Sequence, residues 1–158
     1  MSDPLILSGK DVSQSVYENL KDRISILKSK NITPGLAVVL VGDDPASQVY
    51  IRSKTKKFNQ LGLNTESHRL SIDTSGKDLL NLIGQLNQDN QFHGILVQLP
   101  LPDHIDTQKV LEAMDPRKDV DGFHPENAGL LSIGKPRFIP CTPKGIMRIL
   151  SHYNIDLT

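Results

Sequence analysis

Apolar residues recur along this chain with two different spacings. Val12, Val16, Leu20, Ile24 and Leu27 return every three or four positions and predict an amphipathic helix after Ser8-Gly9-Lys10-Asp11. It should stop near Asn31, because Thr33 precedes Pro34 and is turned away from helical geometry. Leu36 to Val41 (LAVVLV) is instead a continuous apolar run without alternation, as expected of a strand covered on both faces in a mostly parallel sheet. An Asp-Asp-Pro turn follows, in which Asp44 can cap a second helix and Pro45 can occupy its first position, and Gly62 supplies the left-handed residue that ends it. Asn64 to Ile72 reads as a weaker strand, Ser75 to Asn90 as a helix carrying Leu79, Leu82, Ile83 and Leu86, and Phe92 to Leu99 as a second buried strand. A short helix around Thr107 to Met114, a loop from Lys118 to Gly129 (KDVDGFHPENAG) and a last helix from Pro143 to about Tyr153 complete the pattern. Helices alternating with short buried strands imply an α/β fold: a three-layer, open, mostly parallel sheet with helices on both faces.

The second helix carries an energetic oddity. On a wheel at about 100° per residue, Tyr50, Leu61, Lys54, Ser47, Phe58 and Ile51 fall in that order within an arc of about 100°, which puts Lys54 in the middle of the apolar stripe. Arg52 and Lys56 point the other way. An ammonium facing the core loses hydration, which disfavours its charged form and suits it to act as an acid or base, with Tyr50 one turn earlier and Ser47 adjacent. The competing reading is a long stem lying on apolar surface with its amine reaching water.

Composition narrows the field without deciding it. The 158 residues suffice for one ordinary domain, and 18 basic against 18 acidic side chains leave no broad positive field for nucleic acid or an anionic membrane. A single cysteine excludes an internal disulfide, which makes a reducing, cytoplasmic compartment the expectation. Neither a secretory signal nor an apolar run of membrane-spanning length is present. The histidines have no metal-ligand spacing, so no metal is expected, and His124 alone among them lies where it can touch a substrate. Cys141 has no base beside it and reads as a buried small hydrophobe rather than a nucleophile. Lys10 and Lys57 read as solvated charges.

In parallel sheets ligands gather beyond the carboxyl ends of the strands. That rule selects the turn after Val41, the segment Gln98-Leu99-Pro100 and the loop from Lys118. The segments VGDDPASQVYIRSKTK, GILVQLPLP, KDVDGFHPENAG and PCTPKGI resemble, in order and spacing, the signature segments of the bifunctional methylenetetrahydrofolate dehydrogenase/cyclohydrolase family, from about Leu7 to the end of the chain. The resemblance implies a tetrahydrofolate derivative as substrate and NADP as cofactor, the latter bound by a second, Rossmann-like domain whose glycine-rich loop has no counterpart here. The chain thus looks like the folate-binding half, residues 1–158. The family's catalytic lysine falls on Lys54, its aromatic partner on Tyr50 and its substrate-contacting glutamine on Gln98, with Val97 and Leu99 beside it. The aspartate that bonds the pterin falls on Asp121, and Ser47 is a further hydroxyl contact. The resemblance also implies a homodimer at full length and a half-pocket inactive in NADP-dependent oxidation. Two other readings stay open at this point: a non-catalytic ligand-binding or interaction module of the same fold, and an unrelated receiver-like domain, against which Pro45 and the lack of a strand-end lysine count.

Overall fold

The computed structural model describes residues 4–157, with Ala46 described by its backbone alone. The described residues form six helices and three strands: α1 (Gly9–Ser29), β1 (Gly35–Val41), α2 (Pro45–Gln60), β2 (Asn64–Leu70), α3 (Gly76–Gln88), β3 (Gly94–Val97), α4 (Thr107–Ala113), α5 (Pro125–Ser132) and α6 (Cys141–His152). They divide into two compact units, one made of the segments up to Ile32 and from Ile139, the other of Thr33–Phe138.

The unit Thr33–Phe138 is a three-layer α/β sandwich. Its parallel sheet has the order β2-β1-β3, so the central strand is the most apolar one. All seven residues of β1 are buried, and their alternation assigns them to two cores. Leu36, Val38 and Leu40 pack with Leu96 and with Ile51 of α2; Ala37, Val39 and Val41 pack with Ile95, Val97 and the α3–α4 residues Leu79, Ile83, Leu86 and Val110. A continuous hydrophobic run is therefore what a strand needs when helices cover both its faces. Beyond β3 the chain returns at Lys118-Asp119, where Ile95 N donates to the Lys118 carbonyl at 2.7 Å and Ile95 and Asp119 form a single parallel bridge. Gly94 permits this approach: a β-carbon there would stand 2.5 Å from Val120 Cγ1.

The other unit comprises α1 and α6. Val12 and Ile24 are the buried residues of α1, whereas α6 has none. Tyr153 joins the two segments, its hydroxyl accepting from Ser8 N at 2.9 Å.

Most element boundaries follow the sequence pattern, but the strand expected over residues 92–99 is confined to Gly94–Val97, and one helix was not expected. The stretch read as a loop from Lys118 to Gly129 contains the start of α5, which His124 caps through a bond from Glu126 N to Nδ1 at 3.1 Å, with Pro125 in its first turn.

Candidate functional site

The site is built by the strand-to-helix turn after β1. Gly42 takes φ +84°, a left-handed value that reverses the chain at small steric cost. The Asp44 carboxylate then accepts from Ser47 N at 2.7 Å, with Pro45 in the first turn, so α2 starts at the carboxyl end of the sheet as the capping pattern requires.

The phase of α2 differs from the sequence expectation. Ile51, 2% exposed, and Ser47, 6%, mark the buried line, with Phe58 packed partly against it, while Tyr50 is 54% exposed. Lys54 is half-buried and lies at the rim of the stripe rather than in its middle. The reason is tertiary: α2 packs on Leu36, Val38 and Leu40 through Ile51, which pulls the buried centre to one end of the predicted arc. Arg52 and Lys56 do point elsewhere, into an open groove of about 660 Å³ shared with Thr55, Asn59 and Arg69 of β2.

At the rim the Lys54 ammonium sits over the Tyr50 ring, 4.4 Å from its centroid. The contact is with the aromatic face, a cation–π arrangement one helical turn apart. The same amine reaches the third segment electrostatically. Burial pushes the Asp121 carboxyl above its ordinary value, the positive charge of Lys54 opposes that rise, and the negative charge of Asp119 adds to it. The Lys54–Tyr50 pair on α2 thus lies within electrostatic reach of Asp121, a residue distant in sequence.

The other expected residues are distributed less evenly. Gln98, half-buried, follows β3 directly; its backbone N–H donates to the Val39 carbonyl at 2.8 Å and its side-chain amide donates to the Leu99 carbonyl at 3.0 Å. Val97 is buried in the core facing α3 and α4, and Leu99 packs against that same core, so neither side chain is turned to the α2 face. Ser47 is buried within the first turn of α2, its N–H taken by Asp44. His124 is committed as the cap of α5. Cys141, expected to be buried, is exposed in the first turn of α6. Lys10 and Lys57 are exposed.

Sequence reasoning missed what holds Asp121 in place. Asp119, 1% exposed, accepts from Gly122 N at 3.1 Å, His124 N at 2.8 Å and Asn127 Nδ2 at 2.8 Å. Asn127, fully buried, also donates to the Pro116 carbonyl at 2.8 Å and accepts from Arg137 at 3.0 Å. Arg137 in turn pairs with Glu126 at 2.7 Å. The available signal was two aspartates two positions apart around a valine, followed by Gly122, which takes φ +71°.

Among the described residues no cluster of His, Cys, Asp or Glu could hold a metal ion, and no helix is long and apolar enough to cross a membrane. The turn after β1 does not fit a dinucleotide phosphate. Its helix N-terminus already carries the Asp44 carboxylate, and Asp43 stands exposed beside it, so an anionic group would meet like charge.

A model of the tetrahydrofolate dehydrogenase/cyclohydrolase catalytic domain matches residues 7–121. The bifunctional protein FolD of Acetivibrio thermocellus is 50% identical over 153 residues, covering 97% of this chain and 54% of its own length. FolD of Magnetococcus marinus is 55% identical over 152 residues, 96% of this chain and 53% of its own. The crystal structure of the FolD methylenetetrahydrofolate dehydrogenase/cyclohydrolase from Campylobacter jejuni superposes with a TM-score of 0.92 at 49% identity, covering 97% of this chain and 55% of that one. The Trypanosoma brucei methylenetetrahydrofolate dehydrogenase-cyclohydrolase, solved with NADP cofactor and an inhibitor, gives a TM-score of 0.94 at 30% identity, covering 99% of this chain and 54% of its own. The chain spans about half the length of the relatives it matches.

Proposed function

The chain belongs to the tetrahydrofolate dehydrogenase/cyclohydrolase family, and from that premise we propose that it supplies the folate pocket and proton-transfer lysine of a bifunctional one-carbon enzyme. In the complete protein the activity is NADP-dependent oxidation of 5,10-methylenetetrahydrofolate to the 5,10-methenyl cation, then hydrolysis to 10-formyltetrahydrofolate, which feeds purine biosynthesis. The cofactor is assigned to parts of the protein outside these 158 residues, a reading supported by the carboxylates that an incoming phosphate would meet at the turn after β1. A cytoplasmic homodimer is part of the same reading.

The observation that carries the proposal is the Lys54 amine held over the Tyr50 ring, within electrostatic reach of a half-buried Asp121. Each group has a defined task. Asp121, acceptor-only when ionised, takes the amino and ring N–H donors of a pterin. Tyr50 offers its flat face to the substrate ring, and Gln98 presents an amide at the end of β3, while Ser47, Val97 and Leu99 shape the site only through the elements that carry Tyr50 and Gln98. In the hydrolytic step water adds to the methenyl carbon and loses one proton to Lys54 as the hydroxyl adduct forms. Collapse then moves the hydroxyl proton to N5 as the carbon–N5 bond breaks, which leaves the formyl group on N10 and releases one proton overall. A cationic substrate beside the amine favours its neutral form, and a base so placed contributes about 10²-fold to 10⁴-fold.

Calorimetric titration with a folate analogue tests the pocket: Asp121→Ala should lose most binding, and retention of native affinity would remove the assignment. For the chemistry, Lys54→Met in the full-length protein should lower the decay of methenyl-folate absorbance by about 10²-fold or more with little change in affinity. A Lys54→Met enzyme as fast as the native one would end the proposed role.

A further inference from the structure

Asp119 is the most deeply enclosed charged residue of the region, and the functional reading assigns it nothing. Two residues from Asp121, it accepts three hydrogen bonds: Gly122 N at 3.1 Å, His124 N at 2.8 Å and Asn127 Nδ2 at 2.8 Å. The first two fix the backbone on the far side of Asp121, while the Ile95–Asp119 bridge fixes the near side against β3. The third ties the turn to α5, and Arg137 closes the set by donating to Asn127 Oδ1 at 3.0 Å while pairing with Glu126. Lys118, the neighbouring cation, is turned away: its ammonium donates to the carbonyls of Leu86 and Asp89 at 2.9 and 2.8 Å.

We propose that Asp119 is a positioning residue for folate recognition: with the buried Asn127, and with Arg137 closing the set from the surface, it forms a clamp that fixes the Val120–Gly122 turn and so sets where the Asp121 carboxylate stands relative to Lys54. This rests on the reading of Asp121 as the pterin contact, but the clamp acts on Asp121 whether or not a ligand is present. Val120 has its backbone pinned beside β3 and its side chain packed against Gly94 and the α2-side core, so the backbone that carries the Asp121 side chain has little freedom. The charges that face Asp121 are Lys54 from α2 and Asp119 from its own turn. A carboxylate can accept all three bonds at Asp119, whereas an asparagine there would turn an N–H towards one of the donors.

The test is Asp119→Asn, read in two ways. By amide NMR of the ligand-free protein, hydrogen exchange at Gly122 and His124 should quicken relative to the native chain, since the carboxylate that accepts both N–H groups has been replaced. By calorimetry, a folate analogue should bind about 10-fold more weakly at pH 7, because its acceptor is no longer held in place. A folded Asp119→Asn protein with native exchange at Gly122 and His124, or with native affinity, overturns the proposal. Should Asp119→Asn fail to fold, Arg137→Gln at the half-exposed end of the clamp decides: affinity lowered about 3-fold supports it, and native affinity overturns it. Asp121→Asn separates the two readings. If that variant binds as tightly as the native chain, the pterin contact is wrong, while the quickened exchange at Gly122 and His124 in Asp119→Asn still reports on the clamp.

Discussion

Asp121, the proposed pterin contact, illustrates how a group suited to recognition can oppose the stability of its own fold. Burial raises its pKa above the ordinary 3.8, so between that value and the folded one the native state binds more protons than the unfolded chain. The sign follows: the contribution of Asp121 to stability is fully present below pH 3.8 and is lost as pH rises through the folded value, leaving a net cost at neutral pH. Asp121→Asn should therefore melt at a higher temperature than the native chain at pH 7, with the difference shrinking as pH falls to 3.8, while folate-analogue binding is lost; thermal melts across pH read this directly. At Tyr50 the relevant atoms are the ring face, not the hydroxyl. Tyr50→Phe should keep analogue affinity within about 2-fold, whereas Tyr50→Leu should lose about 5-fold, roughly 1 kcal/mol. The pairing of Tyr50 with Lys54 was legible because a spacing of four places two side chains on one helical face whatever the helix packs against. The rim position of Lys54 was not, since the phase of the buried line depends on where Ile51 meets β1, a fact about another element.

Elements carry the site to its place, and two of their joints are open to test. Asp44 caps α2, which bears Ser47, Tyr50 and Lys54. Asp44→Ala should cost about 0.5–2 kcal/mol in denaturant unfolding, most of it restored in Asp44→Asn. Gly94 on β3 lets the Asp119–Gly122 turn dock, and a methyl group there would meet Val120 Cγ1 at 2.5 Å and Leu36 Cδ1 at 3.3 Å. Gly94→Ala should destabilise the chain by about 1–3 kcal/mol and weaken analogue binding, because relief of the clash moves the turn that carries Asp121. Strands, caps and helix ends were readable because each has a local cause: a run apolar on both faces, a carboxylate three residues before an N–H, a glycine at positive φ such as Gly62 at +63°. α5 escaped because its sequence, PENAGLLS, holds asparagine and glycine, which favour other conformations. Beyond the local His124 cap, what holds its first turn is tertiary, the Asn127 bonds to Asp119, Pro116 and Arg137.

Across the whole molecule, the groups assigned to folate all lie between Thr33 and Phe138 in one compact unit, while α1 and α6 form the other. The sheet supplies a rigid base at β1 and β3, and the side chains that would touch a substrate come from the segments leaving its carboxyl end, where a parallel sheet leaves its connections free to vary. That division gives the ligand a local signature. A folate analogue at 100 times its Kd should stabilise the chain by about 2.7 kcal/mol. NADP at the same concentration should leave its melting temperature unchanged, since the turn after β1 meets a phosphate with carboxylates. Hydrogen exchange should show the strongest analogue-induced protection in three separate stretches: the start of α2, the residues after Val97 and the Asp119–His124 turn. Protection in all three together, lost from all three in Asp121→Ala, is the result that one pocket assembled from distant segments requires. Protection confined to a single stretch would mean that the analogue meets only one of them, and the site as assembled from Lys54, Gln98 and Asp121 would have to be abandoned.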